Sequence, residues 1–101
     1  MNKSLVFVVV ILLASCLSAG ADEDKGGVTY EARCAVCHGK DGVPKSFAKG
    51  SPAFNDEAWK KEASLESIEK VVTEGRKRMP AFGNKLTPEE IKAVSAYLMT
   101  L

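Results

Sequence analysis

Histidine and cysteine are scarce in this sequence of 101 residues, which holds a single histidine, His38, and three cysteines. Cys16 lies in an apolar leader, so the rest of the chain contains only Cys34 and Cys37. A disulfide between cysteines three positions apart would close a very small loop and restrict the unfolded chain little. A structural zinc site usually takes four Cys or His ligands, and only three remain. The scarcity therefore excludes a disulfide framework and argues against structural zinc.

A strong excess of charge is also absent. The 14 Lys and Arg residues against 13 Asp and Glu residues give a formal net charge of +1. Removal of Lys3 with the leader leaves 13 of each. Proteins that bind nucleic acids through the phosphate backbone carry a clear basic excess. We therefore expect no nucleic-acid partner.

Long apolar runs are missing apart from residues 5–13 in the leader. At ~1.5 Å per residue this run covers about half of a ~30 Å hydrocarbon core, so no membrane span is predicted. Lys3 before the run and Ala-Gly-Ala at residues 19–21 give the layout of a secretory signal peptide, residues 1–21. Residues 13–16, Leu-Ala-Ser-Cys, also resemble a lipoprotein lipobox, in which Cys16 would be acylated. We expect an exported, periplasmic protein that is either soluble or tethered to the membrane by lipid on Cys16.

The remaining domain, residues 22–101, is small. A chain of this size buries only ~60% of the surface that its unfolded form exposes. Because there is no disulfide framework, something else must complete such a core, and a large apolar cofactor would do so.

Helical signals predominate in this domain, and no segment shows strand alternation, so the fold class predicted is all-α. Three main helices are expected, at about residues 28–35, at residues 64–75 and from residue 87 to the end, with a short helical turn near Trp59. Residues 22–27 are expected to be flexible, and residues 39–52 and 76–85 to be loops. The strongest start signal is the Thr87–Glu90 capping box with Pro88 at the first helical position.

Cys34, Cys37 and His38 form a C-x-x-C-H run, the signature of covalent haem attachment. The two thiols add across the haem vinyl groups, and the following histidine can reach beneath the ring to bind the iron. A thioredoxin-like redox pair also uses C-x-x-C, but it requires a βαβ setting that this sequence lacks. The run therefore predicts one covalently bound haem c.

The second axial ligand of the iron must be a Met, a Lys or no side chain of this chain, because His38 is the only histidine. Met79 is favoured, since it stands in a loop directly before Pro80, which restricts the backbone. The alternative is that Met79 only fills a gap in the core. Met99, on the last helix, is expected to have a packing role or to be exposed.

Together these residues resemble the class I c-type cytochromes, and the resemblance covers the whole domain. Gly26 and Tyr30 lie eight and four residues before the first haem cysteine, as in the first helix of that family. Val94 and Tyr97 match the positions of its last helix that cross the first. Gly26 either permits this close crossing or belongs to a linker. The resemblance implies the cytochrome c fold, with three main helices and loops around one haem.

The loops carry further resemblances. Pro-Ala-Phe at residues 52–54 resembles the Pro-x-Leu segment of the family, which implies that the Pro52 carbonyl accepts the Nδ1 proton of His38. The stretch from there through Trp59, Arg76 and Pro80 is similar to haem-c domains of cbb-type terminal oxidases. The indole of Trp59 either donates to a haem propionate or packs in the core.

The function that the resemblance implies is outer-sphere electron transfer between respiratory redox partners, such as a terminal oxidase or reductase. An iron bound by both His38 and Met79 has no open site for substrate, so we expect a carrier and not an enzyme. Two alternatives stay open. One is a five-coordinate haem protein that binds NO, CO or peroxide, and the other is a membrane-tethered electron-entry subunit of a larger complex.

Basic residues flank both predicted loops and form either a docking ring for a partner or a solvated face. They are Lys40, Lys45, Lys49, Arg76, Lys77, Arg78 and Lys85.

Overall fold

The computed structural model describes residues 25–101 of the chain. The predicted signal peptide, its cleavage after Ala21 and the lipobox at Cys16 lie outside the described residues and stay predictions. Within the described range the chain is helical, and its only extended pairing is an isolated bridge between Arg76 and Met79. No helix in this range combines the length and apolar character that a membrane span needs.

Four helices follow one another along the chain. Residues 25–38 form α1, in which a π-helical turn, Tyr30–Cys34, separates the α-helical residues 25–29 from Ala35–His38. A 3₁₀ turn, Ser46–Ala48, lies in the loop that follows. The other helices are α2 (Glu57–Glu62), α3 (Leu65–Glu74) and α4 (Pro88–Leu98). The predicted all-α architecture with three main helices is confirmed.

The helix starts follow from local hydrogen bonds that the sequence already indicates. In α4 the Glu90 amide donates to Thr87 Oγ1 (3.1 Å) and the Thr87 amide donates to Glu90 Oε1 (2.9 Å), which confirms the predicted capping box. Ser64 caps α3 by accepting from the Ser67 amide at 3.1 Å. Each such cap satisfies amide groups that a helix leaves without partners, which contributes about 1 kcal/mol.

The first helix is longer than predicted, because residues 25–27 are helical and not flexible. The cause is packing against α4. A Cβ at Gly26 would collide with the Ala93 carbonyl oxygen and would lie 3.0 Å from Tyr97 Cβ. The missing side chain lets the two backbones approach, and this tertiary contact overrides the low helix propensity of glycine. Gly26 therefore serves the close crossing and does not belong to a linker.

The core is a single cluster of apolar side chains to which α1, α3, α4 and the loops all contribute. Its buried members are Tyr30, Phe54, Ile68, Val72, Phe82, Leu86, Ile91, Val94 and Leu98. Ile68 and Val72 of α3 and Ile91, Val94 and Leu98 of α4 are buried in this cluster, and the two helices pack against each other. Several residues of the C-x-x-C-H and Met79 regions border the same cluster.

Replacing Gly26 by Ala is expected to destabilise the holoprotein by about 1–3 kcal/mol, because the added methyl group meets backbone and not a movable side chain. Gly50→Ala is the matched control, since a Cβ there has no atom within 4 Å and should be neutral or slightly stabilising. Denaturant midpoints of the two variants provide the measurement. Equal midpoints would contradict the close crossing.

Candidate functional site

The three residues of the C-x-x-C-H run lie at the C-terminal end of α1. Cys34 closes the π-helical turn, and Cys37 and His38 lie on the last turn. All three side chains are half-buried, and both cysteines are free thiols. Burial raises the pKa of the Cys34 thiol to about 11, with a smaller contribution from Cys37. Redox-active C-x-x-C pairs have a lowered thiol pKa, so this environment disfavours the thioredoxin-like alternative.

The loop after α1 folds back onto the end of that helix. The helix ends at Gly39, whose φ of 77° lies in the left-handed region and whose amide donates to the Ala35 carbonyl at 2.9 Å. The Lys45 amide donates to the Cys37 carbonyl at 3.0 Å. Carbonyl groups of a last helical turn lack partners within the helix, and the loop supplies one here. The backbone that carries Cys37 is therefore held by hydrogen bonds from the loop.

The imidazole of His38 stacks on an aromatic ring from the same loop. Its ring centroid lies 4.8 Å from that of Phe54, at an interplanar angle of 27°. Phe54 in turn contacts the Trp59 ring, with a centroid distance of 4.9 Å. The contact of Phe54 with His38 is a feature that sequence reasoning missed. An aromatic residue two positions after Pro52, in a loop otherwise rich in small and polar residues, is the signal that could have revealed it.

The Nδ1 atom of His38 is buried and has no hydrogen-bond partner among the described residues. Burial also lowers the pKa of the imidazole, which favours the neutral form that metals bind. Buried polar atoms are nearly always paired, so an orphaned one calls for an explanation. A neutral imidazole beside two thiols fits a covalently attached haem, whose iron the ring would bind as a ligand.

The two residues expected around this histidine are placed as follows. Pro52 is exposed, and no hydrogen bond joins its carbonyl to His38 Nδ1 in this structure, so its proposed role stays a prediction. Trp59 is half-buried and packs against the core through Phe54. Packing is thus observed for Trp59, and a contact with a haem propionate stays a prediction.

Met79 is held by a tight turn directly after α3. The Met79 amide donates to the Arg76 carbonyl at 2.9 Å, and the Arg76 amide donates to the Met79 carbonyl at 3.1 Å. Lys77 within the turn has a φ of 54°, and Gly75 before it has a φ of 75°. A Cβ at Gly75 would lie 2.7 Å from the Met79 carbonyl oxygen. Glycine at this position therefore lets the chain fold back on itself.

The segment after Met79 is tied to the end of α3. The Phe82 amide donates to the Val72 carbonyl at 2.9 Å, and the Gly83 amide donates to the Thr73 carbonyl at 3.1 Å. Met79 is half-buried and packs against the core, whereas Arg76 and Pro80 are exposed. The backbone that carries the Met79 side chain is thus held by hydrogen bonds on both sides.

Several of the predicted site residues therefore share one region. Cys34, Trp59 and Met79 all pack against the core cluster, and His38 reaches it through Phe54. In residues 25–101, no three side chains of the His, Cys, Asp or Glu type converge to hold a bare metal ion. Structural zinc gains no support from this part of the chain.

Comparisons with known proteins identify the family. The profile of the family described as "Cytochrome C oxidase, cbb3-type, subunit III" matches residues 21–98. The chain is 37% identical over 103 residues to cytochrome c6 of Rippkaea orientalis, across 95% of this chain and 88% of that relative. It belongs to the class I c-type cytochromes. The cofactor of this cytochrome is a covalently bound c-type haem with its iron, and its biochemical class is that of a haem electron carrier.

Solved structures confirm the cytochrome c fold. The structure of the KustC0563 c-type cytochrome matches with a TM-score of 0.71 and 36% identity, covering 74% of this chain and 94% of that chain. Cytochrome c6C from Synechococcus sp. PCC 7002 matches with a TM-score of 0.65 and 36% identity, covering 75% and 92%.

The similarity to oxidase haem domains is also present. This cytochrome is 37% identical over 78 residues to the cbb3-type cytochrome c oxidase subunit FixP of Azorhizobium caulinodans. The match covers 76% of this chain but only 26% of that protein, so the chain spans about a quarter of the FixP length.

Proposed function

We propose that this cytochrome is an exported one-haem electron carrier in which Cys34 and Cys37 form the thioethers, and His38 and Met79 are the axial ligands. The observation that carries the proposal is the half-buried His38 imidazole. It directly follows the two thiols of the C-x-x-C run, and its burial favours the neutral form that iron binds. Bound haem supplies the Fe(III)/Fe(II) couple.

The role of each proposed iron ligand follows from the chemistry of its side chain. The neutral imidazole donates a ring nitrogen, and Phe54 holds the ring plane by stacking. The Met79 thioether is a soft, neutral ligand, which favours the reduced iron and raises the potential relative to more electron-rich ligand sets. The turn that carries Met79 is closed by two backbone hydrogen bonds, so little conformational entropy remains to be lost on ligation. Six-coordination leaves room for outer-sphere electron transfer and none for substrate.

Two other functions are distinguished from this one by their requirements. A five-coordinate haem protein that binds NO, CO or peroxide requires Met79 to act only in packing, and the half-buried Met79 does border the core. A membrane-tethered electron-entry subunit requires acylation of Cys16 or a partner complex. The similarity to part of FixP supports an oxidase as one class of redox partner.

We place the partner contact on the surface around the C-x-x-C-H end of α1. Three of the exposed large apolar side chains are there: Val36 (63% exposed), Val43 (51%) and Phe47 (64%). The turn that carries Phe47 packs against Ala35–His38. Lys40, Lys45 and Lys49 are exposed on the same loop and form none of the ion pairs found among the described residues. An apolar centre with a basic rim fits a partner that has carboxylates around an apolar patch.

Covalent attachment is expected to be lost when both Cys34 and Cys37 are replaced by Ala, because no thiol then remains in the C-x-x-C-H run. Haem staining after denaturing electrophoresis and intact mass provide the measurement. Cys16→Ala is the matched control and should keep the full haem mass. A double variant that retained covalent haem would exclude these cysteines as the attachment sites.

Met79→Ala is expected to abolish the weak far-red sulfur-to-iron absorption band of the oxidised protein, lower the reduction potential and let CO bind readily. The physical reason is the loss of a ligand that favours Fe(II) and closes the distal site. Met99→Ala is the control, because Met99 borders the core and its loss should affect only stability, by about 1–3 kcal/mol. An unchanged spectrum, potential and CO affinity in Met79→Ala would favour the ligand-binding function.

Replacing Lys40, Lys45 and Lys49 together by Gln is expected to slow oxidation by ferricyanide several-fold at low salt and to speed oxidation by tris(phenanthroline)cobalt(III). Both effects should weaken at high ionic strength, because salt screens the local field. The control replaces Lys61, Lys70 and Lys92 by Gln. It changes the net charge by the same amount, but at positions outside the two loops. Stopped-flow rates that respond equally in both variants would mean that the loop lysines are merely a solvated face.

A further inference from the structure

The hydroxyl group of Tyr30 has a contact that helix crossing does not require. Tyr30 is completely buried, and its Oη donates a hydrogen bond of 2.6 Å to the Gly39 carbonyl and lies 3.5 Å from the His38 carbonyl. Both carbonyls belong to the end of α1, where a helix leaves its last acceptors without internal partners. One side chain from the start of the π-helical turn thus binds the backbone of the residue that we propose as the axial ligand.

The tyrosine ring itself is held independently of this hydrogen bond. Its centroid lies 5.4 Å from that of Tyr97 at an interplanar angle of 47°, next to the crossing at Gly26. A phenylalanine could occupy the same space and make the same ring contact, because the two side chains differ only in the hydroxyl. The ring therefore serves the crossing of α1 and α4, and the hydroxyl serves the end of α1.

The hydroxyl stays a donor throughout the physiological range. Burial, with smaller contributions from Cys34, Tyr97 and Asp41, raises the pKa of Tyr30 to about 12. Carbonyl oxygens only accept hydrogen bonds, so the hydroxyl is the donor in both contacts. The carbonyl of Cys37, in contrast, is satisfied by the Lys45 amide.

We propose that Tyr30 is a positioning residue for the iron ligand. Its hydroxyl fixes the His38–Gly39 backbone, and hence the imidazole, and offsets the partial negative charge of the two carbonyl oxygens. This inference rests on the proposed ligation by His38. Without the hydroxyl, the carbonyl oxygens of His38 and Gly39 lose a buried donor, and their uncompensated dipoles favour the more positive, oxidised iron. The loss should therefore lower the reduction potential and let the imidazole reorient.

The test compares holoprotein variants by redox titration and by electron paramagnetic resonance of the oxidised form. Tyr30→Phe should shift the midpoint potential downward and change the g values, which report the orientation of the axial imidazole, while covalent haem is retained. Tyr97→Phe removes the hydroxyl of the other ring in the pair and should leave both readouts unchanged. A downward shift that is confined to Tyr30→Phe supports the proposal.

A second modification covers the case in which Tyr30→Phe fails to mature. Incorporation of 3-fluorotyrosine at position 30 keeps the ring and the hydroxyl but makes that hydroxyl a stronger donor, so the potential should rise. The proposal is overturned if the protein with 3-fluorotyrosine keeps the wild-type potential and g values. It is also overturned if a haem-loaded Tyr30→Phe variant is less stable but keeps both wild-type values. Failure of the His38 assignment is recognised separately, because a His38→Ala variant would then keep the wild-type absorption spectrum and g values.

Discussion

The close crossing of α1 and α4 at Gly26 is the constraint on which the rest of the structure depends. The absent side chain allows backbone contact with Ala93, and this contact brings the Tyr30 and Tyr97 rings together. The Tyr30 hydroxyl then reaches the end of α1, where Gly39 turns the chain back over the haem-attachment residues. The absence of a methyl group at one position thereby influences the geometry of the end of α1, about three turns away.

The same last helix also supports the other side of the site. α3 packs along α4, and the end of α3 carries the turn that holds Met79. Backbone hydrogen bonds from Phe82 to Val72 and across the Arg76–Met79 turn leave this segment little freedom. The two proposed ligands thus lie on separate elements, α1 and the loop after α3, that share α4 as their common support. Their relative placement is decided by helix packing and not by the loops alone, which suits a carrier whose iron must change charge with little rearrangement.

Features that depend on adjacent residues could be predicted from the sequence, and features that depend on contacts between distant residues could not. The C-x-x-C-H run and the Thr87–Glu90 capping box are local patterns, so both can be recognised from a few adjacent residues. The stacking of Phe54 on His38 joins residues 16 positions apart, and the helical state of residues 25–27 depends on α4 at the other end of the chain. Phe54 stands out in its loop, but its sequence neighbours do not indicate that it contacts His38. The glycine and polar residues before Val28 have low helix propensity, so the sequence predicts a flexible segment. The contact with α4 makes residues 25–27 helical.

The environment of His38 explains why attachment of the cofactor and stability of the fold belong together. A buried imidazole nitrogen without a protein partner costs about 1–3 kcal/mol, against a total stability of roughly 5–15 kcal/mol for a small domain. Such a cost is tolerated where ligation of the same ring returns free energy to the folded state, because a group that binds only the native chain stabilises it. The core is a single cluster of few apolar side chains, and two thioethers keep the large apolar cofactor beside it even when the fold opens transiently. His38, which we propose as a ligand of the iron, is therefore the point at which bound haem would complete this small core.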